Sequence, residues 1–400
     1  MLSWLAVLVG GPPFRDRSTK ARFQAPRLLM AQRRHHGSRP GCPLPKVKQT
    51  SLGSHDVSAF DAYWPSPSAA LLRFFYPTTR NRLRYLRQLG HGSVQRHELP
   101  SDPHCKEECA METPTLVHST DGRKIEVRTA GPKDGDILLF HHGTPCAGLP
   151  FRPWVQLAAA RGLRTVMYSR PGYGLSTAAP GRKIVDAASD TAVVLSAVGA
   201  TTFRTIGWSF GAPHALACAA ALPDRCLATV AIAGTAPYPS DGIDWFAGIA
   251  DENVAELRLA LQGEAALVPF LEASADAYAT MQAENLVQSL GGLLSKADKA
   301  QMTGEFAEWF AETLRVGAEH GIAGLRDDEL AIMSDWGFRV ADARSAVIWH
   351  GTEDRMVPPS HGRWLADHIS GARYRSFDNE GHISVMGLFD RSLDDLLDPR

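Results

Sequence analysis

The chain has 400 residues, 44% of them hydrophobic, with a formal net charge of -1. This is the composition of a soluble globular protein rather than of a chain of membrane spans, and the length suggests two or three domains. The near-zero sum hides an asymmetry: residues 1–110 carry 17 Lys/Arg against 7 Asp/Glu, whereas the remainder carries 25 against 36.

Residues 1–110 are rich in Arg, Pro, Ser and His, and read as a basic, disordered leader. The apolar run 5–9 is too short to span a membrane and has no charged region before it, so no export signal is expected. Residues 80–87, with four arginines, read as a basic helix able to touch an acidic surface or nucleic acid. Met111 stands where composition changes abruptly, and the leader is expected to precede the true start of the protein. Cysteines at 42, 105, 109, 146, 218 and 226 form neither a disulfide framework nor a zinc pattern, so a reducing cytoplasm is expected. The acidic remainder calls for no nucleic-acid partner.

From residue 111 onward, strand and helix patterns alternate as in a mostly parallel sheet flanked by helices. Residues 136–141 (DILLFH) read as a buried strand, followed by the loop 142–148 (HGTPCAG). Residues 166–168 read as the next strand, leading into the turn 168–176 (YSRPGYGLS). A helix is predicted over 183–198. Next comes the most informative segment, Gly207-Trp208-Ser209-Phe210-Gly211, between the strand-like run 203–206 and the alanine-rich helical run 212–222. A G-x-S-x-G between strand and helix is a nucleophile elbow. Its glycines permit a turn too sharp for side chains, and the helix that follows aims free N–H groups at an anion forming on the serine.

A buried strand is predicted over 228–233. Strand patterns then vanish over 236–336, where Ala, Glu and Leu dominate the predicted helical segments 253–262, 275–290 and 305–318. This stretch reads as an all-α insertion of roughly a hundred residues. Trp245, Phe246, Trp309, Phe310 and Trp336 are candidates to line an apolar pocket under it, most of them serving equally well to pack helices. Asp241, Asp244, Glu308 and Glu312 mark solvated helix faces, and none of them is singled out as a substrate-binding acid.

A serine hydroxyl needs a base to become a nucleophile, so the elbow demands an acid and then a histidine downstream. Asp354 lies on the turn after the apolar strand 346–349; its neighbour Glu353 points elsewhere. His382 follows Gly381 in the loop leaving the last strand-like run. The expected triad is therefore Ser209, Asp354 and His382. Two backbone N–H groups must receive the negative oxygen formed in acyl transfer; those of Phe210 and Thr144 are placed to do so. One of His141 and His142 is expected to brace the loop and neither to bind metal, and Cys146 near the pocket mouth has no identifiable base.

These segments together resemble the α/β-hydrolase superfamily over roughly residues 120 to 400. The turn 168–176 resembles a family turn that commonly carries an acid where this chain has Ser169. Superfamily members that open epoxides or remove halides use an aspartate at the elbow, and Ser209 argues against both. Proline iminopeptidase-like members usually read H-G-G-P-G where this chain reads H-G-T-P-C. The resemblance implies an α/β core in two parts, 111–235 and 337–400, around the lid 236–336. It implies hydrolysis of an ester- or amide-like bond with no cofactor or metal required, and the aromatic, alanine-rich lid points to a small, largely apolar substrate. Aminopeptidase, C–C hydrolase or lyase chemistry on the same triad, and a non-catalytic ligand-binding role, stay open as alternatives.

Overall fold

The computed structural model describes residues 113–398; the leader, its predicted basic helix and Met111 lie outside the described residues. Eight strands form one sheet in the order β1-β2-β4-β3-β5-β6-β7-β8. The antiparallel edge is β1 (Thr115–His118) and β2 (Lys124–Ala130), and β2 also runs antiparallel to β4 (Leu163–Tyr168). All later pairings are parallel, through β3 (Asp136–His141), β5 (Phe203–Trp208), β6 (Cys226–Ile232), β7 (Val347–Gly351) and β8 (Arg373–Phe377).

The central strands read as unbroken apolar runs because both sheet faces are covered. Their side chains still alternate between two cores. Leu138 and Phe140 of β3 join one apolar cluster, while Ile137 and Leu139 join the other. Helices α1 (Arg152–Ala159), α2 (Asp186–Ala197), α3 (Gly211–Ala221), α10 (Pro359–His368) and α11 (Phe389–Leu397) belong to the sheet layers. Helix α3 packs against both β5 and β6, which fixes its N-terminus at the carboxyl end of the central strand.

Between β6 and β7 the described chain is helical: α4 (Asp251–Gln262), α5 (Glu264–Ala279), α6 (Leu286–Leu290), α7 (Lys296–Gln301), α8 (Gly304–Ala318) and α9 (Ala323–Ile332). Leu257, Leu267, Phe310 and Leu325 from these helices belong to the same cluster as Leu138 and Ile206, so the insertion shares a core with one face of the sheet. The helix predicted over 275–290 is in fact broken. Helix α5 stops at Ala279, where the Thr280 hydroxyl and N–H both bond back to the Asp276 carbonyl, at 2.7 and 3.0 Å. Threonine competes with the helix ladder in this way, and Gln282 then turns extended.

Candidate active site

Ser209 sits between the end of β5 and the start of α3 with φ +57°, in the left-handed region. A non-glycine residue held there costs about 1–3 kcal/mol and needs its surroundings to hold it. Its N–H donates to the Ile232 carbonyl and its own carbonyl accepts from Ala212, both at 2.9 Å. The flanking glycines are sterically required. A methyl group on Gly207 would strike the Gly211 carbonyl, and one on Gly211 would strike the carbonyl of His141.

Asp354 and His382 come together from opposite sides of β8. His382 Nδ1 lies 2.8 Å from Asp354 Oδ2, while Asp354 Oδ1 accepts the N–H groups of Met356 and Val357 at 2.9 and 2.8 Å. A carboxylate so placed fixes the imidazole with its proton on Nδ1 and leaves Nε2 as the basic nitrogen. Burial alone would raise the Asp354 pKa, but the facing imidazoles of His382 and His350 outweigh it and hold the carboxyl well below the usual range. His382 moves the other way. Burial disfavours its imidazolium, yet the Asp354 carboxylate prevails and raises its pKa. Glu353 is exposed and turned away.

The loop carrying His382 is tied down by groups that the sequence did not flag. Asp298 Oδ1 accepts the N–H groups of Ile383 and Ser384, each at 2.8 Å, and its Oδ2 accepts that of Ser295 in a capping box. Trp208, beside the serine, donates its indole N–H to the His382 carbonyl at 3.0 Å.

Thr144 is held by a buried ionic cluster. Its hydroxyl donates to Asp328 of α9 and accepts from Arg170 Nη2 at 3.0 Å. Arg170 and Arg182 both pair with Asp328 at 2.6 Å, and Tyr173 donates to it at 2.8 Å. Burial works against the Asp328 carboxylate, but the two guanidinium groups overcome it and hold its pKa well below the usual range. His142 braces the loop as expected: Nδ1 meets the Gly143 carbonyl at 2.9 Å, and Nε2 accepts the Arg170 N–H at 3.0 Å. At Ser169 the missing acid is replaced from outside the turn. Glu126 of β2 accepts the Ser169 hydroxyl and the Leu175 N–H, both at 3.0 Å.

Two small cavities meet at Ser209, Thr144, Met356 and His382. The first is lined in addition by Phe210, Thr235, Trp245, Asn253, Glu256 and Glu329. The second is lined by Cys146, Trp208, Tyr278, Leu290, Phe310 and Leu314. Burial pushes the Cys146 thiol up to about 11, which keeps it protonated at neutral pH. Of the aromatic candidates, Trp245 and Phe310 line these cavities, and Phe246, Trp309 and Trp336 do not. Phe246 packs on Trp245; Trp309 packs on Phe151 and Trp154 and donates to the Leu149 carbonyl; Trp336 stacks on Phe338. A roomier cleft elsewhere is lined by Asp121, Arg123, Arg182 and Asp190, whose charges are satisfied among themselves and by Asp328.

Glu256 and Glu329 escaped the sequence reading, although a signal for them existed. The buried face of α4 is Asn253, Glu256, Leu257 and Ala260, and that of α9 includes Leu325, Asp328, Glu329 and Ile332. Acids thus stand at the i, i+3, i+4, i+7 spacing normally reserved for apolar residues. Burial, reinforced by Glu256, raises the Glu329 pKa well above the carboxylate range.

The arrangement can be set beside known proteins. The family described as alpha/beta hydrolase fold matches residues 136–387, more than half of the chain. Epoxide hydrolase B of Mycobacterium tuberculosis is 30% identical over 127 residues, covering 30% of this chain and 35% of that protein. A bifunctional esterase/perhydrolase of Acinetobacter calcoaceticus is 27% identical over 122 residues, covering 30% of this chain and 44% of the relative. The chain therefore matches less than half the length of either relative. Among solved structures, an enol-lactonase from Burkholderia xenovorans superposes with a TM-score of 0.52 at 20% identity, over 71% of this chain and all of that one. A hydrolase from Pseudomonas aeruginosa gives 0.52 at 18% identity, over 71% and 98%. Identities this low speak to fold alone. On the family match, which spans more than half of the chain, the chain belongs to the α/β-hydrolase fold family.

Proposed function

We propose that the protein is a serine hydrolase that cleaves an ester- or amide-like bond of a small molecule through an acyl-enzyme. The observation that carries this reading is the 2.8 Å pairing of His382 Nδ1 with Asp354, in a site whose cavities are walled by both Ser209 and His382. Ser209 Oγ attacks the carbonyl carbon while His382 Nε2 takes its proton. The resulting imidazolium is stabilised by Asp354 and then protonates the leaving group. The N–H groups of Thr144 and Phe210 receive the negative oxygen of the tetrahedral intermediate. Water, deprotonated by His382, then releases the acid and regenerates Ser209. Helices α4–α9 act as a lid, a role supported by the cavity walls they contribute, and they exclude bulk water from the reaction. The aspartate-nucleophile chemistry of epoxide hydrolases is set aside because the elbow carries Ser209. No helix of the described residues is long and apolar enough to cross a membrane, and with Cys146, Cys218 and Cys226 unpaired we assign the enzyme to a reducing cytoplasm.

Labelling with a fluorophosphonate tests the nucleophile. The wild-type protein should label, and Ser209→Ala should not. Absence of wild-type labelling, or equal labelling of the variant, refutes the assignment.

A further inference from the structure

His382 is held by two carboxylates from different parts of the chain. Its side chain meets Asp354, on the loop after β7, at 2.8 Å. Its backbone is held by Asp298 of α7, a helix of the insertion. Asp298 is fully buried. Its Oδ1 accepts the N–H groups of Ile383 and Ser384, each at 2.8 Å, and its Oδ2 accepts that of Ser295 at 3.0 Å. Helix α7 comes too close to the loop for a side chain just before His382. A methyl group on Gly381 would strike both Asp298 Oδ2 and the Ser295 hydroxyl. Fixing two successive N–H groups sets the path of the chain where it leaves the imidazole, and proton transfer needs that position kept within about 0.5 Å. Among the described residues the Asp298 carboxylate meets N–H groups and no Lys, Arg or His. A buried negative charge of this kind favours a positive charge forming close by. His382 becomes positive whenever it takes the serine's proton, and the Asp298 charge acts on it in the same sense as Asp354, raising its pKa.

We propose that Asp298 is a positioning residue for the proton transfer: it holds the backbone that carries His382, and its charge adds to that of Asp354 in stabilising the imidazolium. The inference rests on the reading of His382 as the base that activates Ser209. By this contact the insertion belongs to the frame of the site as well as to its cover. Other titratable groups also surround the imidazole. His350 of β7 stands 3.5 Å from Asp354 Oδ2, and Glu256 of α4 and Glu329 of α9 line one cavity with His382. The Cys146 thiol and Tyr278 phenol line the other, and burial keeps both neutral. The charges that raise the His382 pKa are those of Asp354 and Asp298.

Three measurements test this. The first follows the His382 imidazole by NMR titration in Ser209→Ala protein, with and without Asp298→Asn, which keeps an acceptor for the loop and removes the charge. The midpoint should be lower with Asp298→Asn, and an unchanged midpoint overturns the proposal. The second is kinetic, on a nitrophenyl ester. Asp298→Ala, which releases the loop, should lower kcat by about 100-fold with KM held, the scale of a displacement near 1 Å, and Asp298→Asn by a smaller factor. A wild-type kcat in Asp298→Ala, or a loss carried by KM alone, overturns the proposal. The third uses the wild type and needs no variant to fold. The amides of Ile383 and Ser384 should exchange hydrogen as slowly as those of the central strands, and exchange at the rate of exposed loops overturns the proposal. If the wild type neither cleaves the ester nor takes a fluorophosphonate, the nucleophile assignment fails, and the titration and the exchange rates still decide the role of Asp298.

Discussion

Two buried carboxyl groups, Asp354 and Glu329, are treated in opposite ways. Asp354, on the loop after β7, is held by two backbone N–H groups and the His382 imidazole, with the His350 imidazole 3.5 Å from Oδ2. Its charge is compensated within the fold, and its pKa falls. Glu329, in the helical insertion, has an oxygen with no hydrogen-bond partner among the described residues and a second carboxyl nearby, and its pKa rises. Its own neighbour Asp328 sharpens the point. One residue earlier on the same helix, Asp328 meets two guanidinium groups and stays ionised. Burial is common to all three, so the partners decide the outcome. Partners of opposite charge keep a buried carboxyl ionised, whereas burial beside a second carboxyl favours the protonated form.

The largest effect should come from Asp354→Asn, which keeps the shape but removes the charge that fixes the His382 tautomer. By analogy with buried triad acids, kcat/KM on a simple ester should fall by about 10⁴-fold. A loss below about 10-fold would mean that Asp354 is not the partner that matters. The pH profile of the wild type follows from the same pairing. His382 acts when neutral and its pKa is raised, so kcat/KM should climb with pH to a plateau, with a midpoint above the ordinary 6.5. In Asp354→Asn the midpoint should move down.

Asp328→Asn comes next, because it strands two buried guanidinium groups beside Thr144. Urea unfolding should show a loss of about 3–5 kcal/mol, the usual cost of leaving buried charge uncompensated. A loss under about 1 kcal/mol would remove Asp328 from the compensated class.

The smallest effect, of opposite sign, belongs to Glu329→Gln. A carboxyl with a raised folded-state pKa costs stability as pH climbs from its unfolded value near 4.5 toward the folded one. The variant should therefore unfold at a higher temperature than wild type at pH 8, and the gain should vanish below pH 4.5. Destabilisation at pH 8 would show that Glu329 is satisfied by the fold after all.

Much of this contrast was legible in advance on one side only. Ser209, Asp354 and His382 were picked out because each follows a strand-like run on a turn, and those turns converge wherever parallel strands end on one sheet edge. The insertion was legible as helical, but not in its details. Thr280 ended α5 where periodicity continued it, and three of the five aromatic candidates pack on other aromatic rings instead of lining the cavities. Asp241, Asp244, Glu308 and Glu312, read as solvated faces, are exposed and line neither cavity at Ser209, while Glu256 and Glu329, which drew no attention, line one of them.

The sequence by itself determined the layered fold, the elbow and the order of the residues around it, because strand periodicity, glycine-bounded turns and chain order are local properties. Only the tertiary structure decided which buried charges find partners. Asp328 meets Arg170 across 158 positions of chain, and Asp298 reaches Ser384 across 86. Whether a carboxylate is compensated depends on such distant groups, and no local pattern encodes them.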